Sequence, residues 1–421
     1  MMSDWKECTI GEIASVKGGK RLPKGVNLIT EQNDHPYIRI RDLTEKTLEL
    51  KSSYEYVDNE TQKCISRYIV GTGDILISIV GTIGLVAVVG ESLNGANLTE
   101  NCVKLIDIRE DVDREYLYYF LVSNMGQDEI KKGTVGAVQP KLPIKNIQSI
   151  KLYLPHIDIQ KRISGLLSAI DCKIAQNTAI NENLEQQAQA LFKAWFVDFE
   201  PFGGVMTDDW RMGTFSEIIE STLGGDWGKE APTGNYTERV FCIRGADIPE
   251  VKAGNKGKMP TRYILPKNFS NKKLVADDIV VEISGGSPTQ STGRVAAISQ
   301  SLLDRYDSGM ICTNFCRAIK PCEGYSNFLY YYWQYLYDRK VFFSYENGTT
   351  GIKNLDLSGF IETEPIIIPS VQALDEFNCI VSAFYSQIFE NGQENEHLAT
   401  VRDTLLPKLM NGEIDVSTVQ I

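Results

Sequence analysis

Lysines without neighbouring acidic residues occur in two stretches of this sequence, where they could bind phosphate. The chain carries a net charge of −12, yet residues 130–157 and residues 251–273 contain no Asp or Glu. Local basic segments of this kind can contact nucleic-acid phosphates even in an acidic protein, although a solvated surface also explains a lysine run. The candidate phosphate contacts are Lys131, Lys132, Lys141 and Lys145 in the first half of the chain, and Lys252, Lys256, Lys258 and Lys353 in the second.

Polar side chains suited to base edges lie in loops of both halves. The side chains of arginine, glutamine, asparagine and threonine can form hydrogen bonds with the donors and acceptors that base edges present in the major groove. The candidate base contacts are Arg41, Gln139, Arg244, Thr289, Gln290 and Asn354. The similar stretches KGTVGAVQPKL (132–142) and NGTTGIKNL (347–355) add Thr134 and Thr349, whose hydroxyls could bond phosphate or only stabilise a turn.

Catalytic and metal chemistry find little support in the sequence. The three histidines are scattered, and none has a spacing suited to a metal or to an activated nucleophile. The Gly-Lys pairs lack the remaining residues of a phosphate-binding loop, and the Asn-Pro-Pro step of amino-methyltransferases is absent. Cys312, Cys316 and Cys322 have no nearby histidine, so reduced thiols explain them better than a zinc site. We therefore predict a binding protein without catalytic or metal-ligating residues.

The same short sequence motifs recur in the same order in the two halves of the chain, which indicates an internal duplication. IRIRDL (38–43) matches CIRGADI (242–248), placing Arg41 opposite Arg244, and Asn101-Cys102-Val103 matches Asn314-Phe315-Cys316. The aromatic runs EYLYYF (115–120) and NFLYYYW (327–333) also correspond. Because the polar loops diverge between copies, we expect two domains that bind different versions of one kind of target. Drift in unconstrained loops would leave the same pattern.

A heptad pattern follows each copy and predicts two long helices. The seam residues are Ile163, Leu167, Ile170, Ile174, Asn177, Asn181 and Leu184 in the first helix, and Phe377, Val381, Phe384, Ile388, Asn391, Asn395 and Leu398 in the second. Parallel and antiparallel pairing both match asparagine with asparagine, but chain connectivity favours the antiparallel arrangement. Gly392 and Pro407 are expected to bend or end the second helix.

The predicted fold class is α+β, with two mixed α/β domains in tandem repeat, separated by two long helices packed as an antiparallel coiled coil. The expected segments are a first domain at 1–155, a central helix at 156–200, a second domain at 201–369, and a C-terminal helix and tail at 370–421. Each domain should contain an aromatic helix, near 113–130 and 326–342. The apolar runs are too short to cross a bilayer, so we expect a cytoplasmic protein with no membrane association.

The segments that end the two helices, LFKAWFVDFEPF (191–202) and LLPKLMNGEIDV (405–416), resemble those of the specificity subunits of type I restriction-modification enzymes. The resemblance extends over the whole chain. It implies two target-recognition domains, each binding one half of a split site in double-stranded DNA. The helices would set the spacing and dock two modification (methyltransferase) subunits.

The same resemblance implies that this chain holds no cofactor. S-adenosylmethionine would bind to the modification subunits, and ATP and Mg²⁺ to the restriction (translocase and nuclease) subunits. A duplicated protein-binding scaffold without a nucleic-acid partner is the alternative from another class. A self-sufficient methyltransferase or nuclease is disfavoured by the missing motifs.

Overall fold

The computed structural model describes residues 5–287, 289–348 and 352–417. Thr349 lies outside these residues, so its predicted phosphate contact has no structural counterpart here. The chain forms two compact units. The first contains the residues up to Cys172 and those from Ala399 onward, and the second contains Lys173–Leu398.

The first unit is built from short strands and helices around a central sheet. Its strands are β1 (Lys6–Thr9), β2 (Ser15–Gly18), β3 (Pro36–Ile38), β4 (Thr47–Leu48), β5 (Glu55–Tyr56), β6 (Ile75–Ser78), β7 (Val86–Val89), β8 (Asn97–Leu98), β9 (Cys102–Ile106) and β10 (Lys151–Leu154). Its helices are α1 (Ile10–Ile13), α2 (Asn59–Ile65), α3 (Arg114–Val122), α4 (Asn124–Gly133), α5 (Ile144–Gln148) and the first part of α6 (Ile157–Phe196).

The central strand β6 of this unit is buried on both faces. The sheet order is β2-β9-β6-β7-β4, beside smaller sheets β5-β3-β8 and β1-β10. Successive strand residues point to opposite faces. Ile75 and Ile77 accordingly belong to one hydrophobic cluster, whereas Leu76 belongs to another. The apolar sequence ILIS thus joins two parts of the core.

The second unit repeats this plan. Its strands are β11 (Arg211–Thr214), β12 (Ile219–Gly224), β13 (Glu238–Ile243), β14 (Thr261–Ile264), β15 (Ile279–Glu282), β16 (Ser284–Gly285), β17 (Val295–Ala297), β18 (Gly309–Cys312), β19 (Cys316–Pro321), β20 (Glu346–Asn347), β21 (Lys353–Leu355) and β22 (Pro365–Ile368). Its helices are α7 (Ile248–Lys252), α8 (Pro266–Lys272), α9 (Gln300–Asp304), α10 (Ser326–Asp338), α11 (Leu357–Thr363) and the first part of α12 (Val371–Met410), besides the end of α6.

The sheets of the two units correspond, except that β4 of the first unit has no counterpart among the described strands of the second. The order β12-β19-β15-β17 matches β2-β9-β6-β7, β14-β13-β18 matches β5-β3-β8, and β11-β22 matches β1-β10. Strand β15 alternates as β6 does, since Ile279 and Val281 belong to one cluster and Val280 to the other. The second unit adds the small sheet β16-β21-β20. The duplication inferred from the sequence is therefore present in the fold.

The long helices pack antiparallel, as predicted, and this is visible within each unit. In the first unit, Asp171 of α6 accepts a hydrogen bond from Arg402 of α12 (2.8 Å). In the second, the side-chain amide oxygen of Asn181 accepts a hydrogen bond from the Asn391 amide (2.8 Å), and the Asn177 amide donates to the side-chain oxygen of Asn395 (2.9 Å). Position numbers rise on one helix as they fall on the other. Every seam residue named above is buried or half-buried.

Three expectations about helix ends need correction. The aromatic helix near 113–130 is two helices, because Ser123 is extended and its hydroxyl caps α4 by accepting the Gly126 N–H (3.3 Å). Its counterpart ends at Asp338, and Lys340 then adopts a left-handed conformation with φ +64°. Neither Gly392 nor Pro407 ends α12, which continues to Met410. A Cβ at Gly392 would lie 1.9 Å from the Gly254 carbonyl oxygen, so glycine there allows a close backbone approach.

Candidate nucleic-acid interface

Three loops of the first unit are joined by a set of backbone hydrogen bonds around Ile79, which follows β6. The Thr99 N–H donates to the Ile38 carbonyl (3.1 Å), and the Cys102 N–H closes the turn onto Thr99 (3.2 Å). The Ile79 N–H donates to the Asn101 carbonyl (2.8 Å), while the Leu142 N–H donates to Ile79 (2.9 Å). The turn at 99–102 and the hairpin at 134–142 are thereby fixed to the central strand.

The second unit contains the same hydrogen bonds in the same order. The Thr313 N–H donates to Ile243 (3.0 Å), and the Cys316 N–H to Thr313 (2.9 Å). The Ile283 N–H donates to Phe315 (2.9 Å), and the Leu355 N–H to Ile283 (2.8 Å). We call this shared four-bond arrangement the loop frame. It makes Leu142 equivalent to Leu355, the residues that close the two similar sequence stretches.

The loop frame corrects two sequence alignments. Ile38 and Ile243 are equivalent, so Arg244 corresponds to Arg39 rather than to Arg41. The Asp42 carboxylate accepts the Arg39 backbone N–H (2.7 Å), just as Asp247 accepts that of Arg244 (3.1 Å). Likewise, Asn101 corresponds to Phe315 and not to Asn314.

We call residues 39–42 of the first unit and their counterparts 244–247 of the second the arginine turns. The first of these turns is rich in charged side chains. Arg41 donates to Glu55 (2.8 Å), and Arg39 forms an ion pair with the same carboxylate. Burial raises the pKa of the neighbouring Asp42 carboxyl to about 6, while Arg41 acts to lower that pKa. A cleft of about 390 Å³ lies beside this turn; its polar lining includes Arg21, Tyr37, Arg39, Arg41, Glu100 and Asn101.

Arg244 is held more firmly than Arg41. Its guanidinium donates to both Asp247 oxygens (2.8 and 3.1 Å) and to the Lys258 carbonyl (2.8 Å). The hydrogen bond with Asp247 raises the pKa of Arg244. Since this fork is already occupied, the placement disfavours Arg244 as a base contact and assigns it to stabilising the turn.

The hairpin of the first unit brings Gln139 and Lys141 together at an exposed tip. Val135 and Lys141 exchange two backbone hydrogen bonds (2.9 Å each), and Gly136 takes a left-handed φ of +96°. Both Gln139 and Lys141 are exposed. The Thr134 hydroxyl donates instead to the Ile130 carbonyl at the end of α4 (2.9 Å). This bond supports the structural-turn alternative for Thr134.

The other three candidate lysines of the first unit lie on α4 and α5. Lys131, Lys132 and Lys145 are exposed. Lys132 donates to Glu129 (2.6 Å), which raises the lysine pKa, and Lys131 lies 3.6 Å from Asp128. Exposed pairs of this kind are weak, so these lysines can exchange their partners for phosphate.

Of the four candidate lysines of the second unit, two pack against other parts of the protein and two lie in or near its loops. Lys252 lies 3.5 Å from Glu185 of α6, and the Lys256 ammonium lies 4.4 Å from the centre of the Tyr306 ring. These contacts place both half-buried lysines against protein and disfavour phosphate binding. Lys258 is exposed, whereas Lys353 pairs with Glu346 (2.7 Å) within the hairpin.

The remaining base candidates of the second unit are close to its loop frame. Asn354 accepts a hydrogen bond from the Ser284 hydroxyl (2.5 Å), and Thr289 and Gln290 are exposed in the loop that follows β16. Arg39 and Asn101, which line the cleft, and Phe315, which is exposed, were not among the candidates chosen from the sequence. The recurring Thr-x-x-Cys spacing of Thr99–Cys102 and Thr313–Cys316 is the signal that could have found the last two.

Neither a metal-binding cluster nor a membrane-spanning helix occurs in the part of the chain that the structure describes. No cluster of three or more His, Cys, Asp or Glu side chains there has a geometry able to hold a metal ion. No helix in those residues is both long enough and apolar enough to span a membrane.

Comparison with known proteins agrees with this architecture. Residues 2–186 match the family model described as the type I restriction modification DNA specificity domain. The MjaIX specificity subunit of Methanocaldococcus jannaschii is 26% identical, over 98% of this chain and 94% of its own length. The HindI specificity subunit of Haemophilus influenzae is 25% identical, over 98% and 100% respectively.

A solved structure shares the fold. The crystal structure of the type I restriction-modification S subunit from M. genitalium has a TM-score of 0.55 and 18% identity, and the match covers 98% of this chain and 97% of that one. The chain is thus similar over nearly its whole length to two type I restriction enzyme specificity subunits, its residues 2–186 match the model of that specificity domain, and its fold is shared with a solved S subunit.

Proposed function

We propose that this chain is the sequence-specific double-stranded DNA-binding subunit of a type I restriction-modification complex. Each unit binds one half of a bipartite site, and the paired long helices set the spacing between half-sites. The observation that carries the proposal is the loop frame, which occurs twice with identical backbone bonds but with different exposed side chains. A common frame with different exposed groups suits the recognition of two different sequences.

The expected partners follow from the same proposal. Two modification subunits dock on the helices and bind S-adenosylmethionine, while restriction subunits use ATP and Mg²⁺. The chain itself contributes recognition and no catalytic step, and the complex acts on DNA in the cytoplasm.

A domain exchange tests the proposal. Residues 1–155 are replaced by the matching domain of a related specificity subunit, and the methylated sites are mapped in cells that contain the modification subunits. The first half-site should change while the second stays the same. The reciprocal exchange of 201–369 is the matched control and should change only the second half-site. Loss of specific methylation with intact protein assembly would instead favour a protein-binding scaffold.

A further inference from the structure

One position of the loop frame carries chemically different side chains in the two units. Asn101 and Phe315 are equivalent, since the carbonyl of each accepts the N–H of the residue after the central strand, Ile79 (2.8 Å) or Ile283 (2.9 Å). Asn101 is a half-buried amide that lines the cleft of the first unit. Phe315 is 58% exposed, with no aromatic partner among the ring contacts of the described residues.

The backbone holds Phe315 at the surface. Its carbonyl also accepts the Ser284 N–H (3.2 Å), and the turn that contains it is closed by the bond from Cys316 to Thr313. Buried Thr313 and Cys316 anchor both ends of the turn. The ring is therefore in contact with water on a turn fixed by backbone bonds, and burying it against an apolar group outside the chain would be favourable.

The surroundings of Phe315 fit a DNA base edge. Ser284, whose N–H the Phe315 carbonyl accepts, is also bonded through its hydroxyl to the exposed Asn354. The backbone of Phe315 is thus bonded to a residue whose hydroxyl pairs with an exposed amide. An exposed aromatic side chain can contact the thymine methyl group, and hydroxyl and amide groups can hydrogen-bond to base edges in the groove. At the equivalent place, an asparagine can form two hydrogen bonds with adenine N6 and N7.

We propose that the position shared by Asn101 and Phe315 determines base preference at one equivalent step of each half-site. Asn101 hydrogen-bonds to a base edge in the first half-site, and Phe315 contacts a thymine methyl group in the second. This inference rests on the proposed function and adds the chemistry of one contact in each unit.

The test uses the full-length chain co-purified with its modification subunits and a duplex containing both half-sites found by methylation mapping. Each thymine of the second half-site is replaced in turn by deoxyuridine, which removes only the methyl group. One replacement should weaken wild-type binding about threefold to fivefold, as expected for one lost apolar methyl contact. The same replacement should not affect Phe315→Ala, whose own affinity should be about tenfold below wild type.

Conservative and matched variants separate this contact from a structural role. Phe315→Leu should retain sensitivity to deoxyuridine, because it keeps an apolar side chain at the surface. Phe315→Asn should shift the preference at that step toward adenine. Asn101→Ala should relax one step of the first half-site and leave the deoxyuridine effect in the second unchanged.

Several results would overturn the inference. Equal sensitivity of wild type and Phe315→Ala to every deoxyuridine, or a second half-site without thymine, would exclude the methyl contact. If the wild type binds specifically and both Phe315→Ala and Asn101→Ala keep full sequence specificity, this position does not determine base preference. The proposed function would still stand in that case. Absence of any sequence-specific binding by the wild-type complex would overturn both.

Discussion

Individual side chains of the two arginine turns differ in how freely they can meet DNA. The Arg244 guanidinium donates to Asp247 and to the Lys258 carbonyl. Arg41 instead donates to Glu55, which it shares with Arg39, lies 3.7 Å from Asp42, and remains largely exposed. An arginine can form a bidentate contact with guanine only if its planar fork is available. Arg41 is therefore the better candidate for a base contact, although the sequence offered both equally.

Lys141 provides a test of phosphate binding at the residue scale. It is exposed in the first hairpin, where its backbone pairs with Val135, and it directly precedes Leu142 of the loop frame. Lys141→Ala should weaken binding to all sequences alike and reduce the slope of log affinity against log salt by about one. Lys6→Ala, an exposed lysine on β1 outside the frame, is the control and should leave the slope unchanged. Altered sequence preference in Lys141→Ala would argue for a base contact instead.

Asp42 should give the first unit a measurable pH dependence. Its pKa is raised from 3.8 to about 6 by burial, with Glu55 raising and Arg41 lowering it. Between these pKa values the folded state binds a proton that the unfolded chain has released, so this group's contribution to stability falls as pH rises from about 4 to about 6. The asparagine side chain in Asp42→Asn cannot ionise, so this variant should not show the fall in stability between about pH 4 and about pH 6.

Calorimetry at about pH 4.5 and about pH 7.5 measures the effect. The thermal midpoint of Asp42→Asn, relative to wild type, should be higher at the upper pH than at the lower. Glu31→Gln, at an exposed loop position, provides the control and should show a constant difference. A constant difference for Asp42→Asn as well would mean that the carboxyl is ionised throughout this range.

The helix pair contains a polar layer whose hydrogen bonds are largely satisfied. Asn181 donates to the carbonyls of Ile388 (3.0 Å) and Ala253 (3.2 Å), and it accepts from Asn391 (2.8 Å). Asn391 in turn accepts from Gln387 (2.9 Å). Because both side chains are buried, an unpaired group left by substitution cannot be solvated without local opening.

A double-mutant cycle measures this layer. Asn181→Ala and Asn391→Ala should each lower the free energy of unfolding by about 1–3 kcal/mol. Their combined effect should be smaller than the sum, with a coupling of about 0.5 kcal/mol or more. Urea denaturation followed by tryptophan fluorescence suits the measurement, because Trp195, Trp210, Trp227 and Trp333 all lie in the second unit.

The control for the cycle is Asn183→Ala. Asn183 lies on the same helix but is exposed, and its side-chain amide oxygen accepts a hydrogen bond from the Gln187 side chain. It should change stability by roughly 0.5 kcal/mol or less. Strict additivity of Asn181→Ala and Asn391→Ala would show that the pair contributes no interaction energy.

At the scale of the whole molecule, the proposed spacing role of the helices is testable by insertion. Helix α6 is continuous over 40 residues, so an insertion within it lengthens one rigid element. Four residues between Ile174 and Leu184 add roughly 6 Å. The gap between half-sites should lengthen by about one or two base pairs. Both half-site sequences should stay the same, since no recognition loop is altered.

Methylation mapping of the insertion variant provides the answer, with a four-residue insertion in the exposed segment near 203–206 as the control. The control should leave the gap unchanged. Some loss of stability is expected from the inserted turn because it displaces the asparagine layer. A gap that does not respond to the helical insertion would show that other features set the distance.

The chain termini permit a second test at this scale. Ile414 and Val416, after α12, belong to the same hydrophobic cluster as Trp5. In the second unit, Phe202, after α6, packs on Trp210 with ring centres 4.8 Å apart. A circular permutant that joins the termini and opens near 203–208 should therefore fold and assemble with the modification subunits. Size-exclusion chromatography of the co-expressed subunits would reveal failure as a missing complex.

The sequence by itself determined the duplication and the two long helices, whereas chain connectivity only favoured their antiparallel pairing over the parallel one. Helical and strand periods are local properties, so the heptad seam and apolar strands such as Ile75–Ser78 identify their elements without knowledge of distant residues. The paired asparagines were also identifiable, because a buried amide requires a polar partner. The helix-end motifs carried the family resemblance.

Only the tertiary structure decided which loop residues are equivalent and which side chains are available to a ligand. Backbone bonds between distant segments make Arg39 equivalent to Arg244 and Asn101 equivalent to Phe315. They shift the alignment of the two repeats by two residues at the first position and by one residue at the second. The exposed ring of Phe315 and the half-buried ammonium of Lys252 depend on packing partners elsewhere in the chain. Such contacts are non-local, and residue type and spacing alone contain no information about their direction.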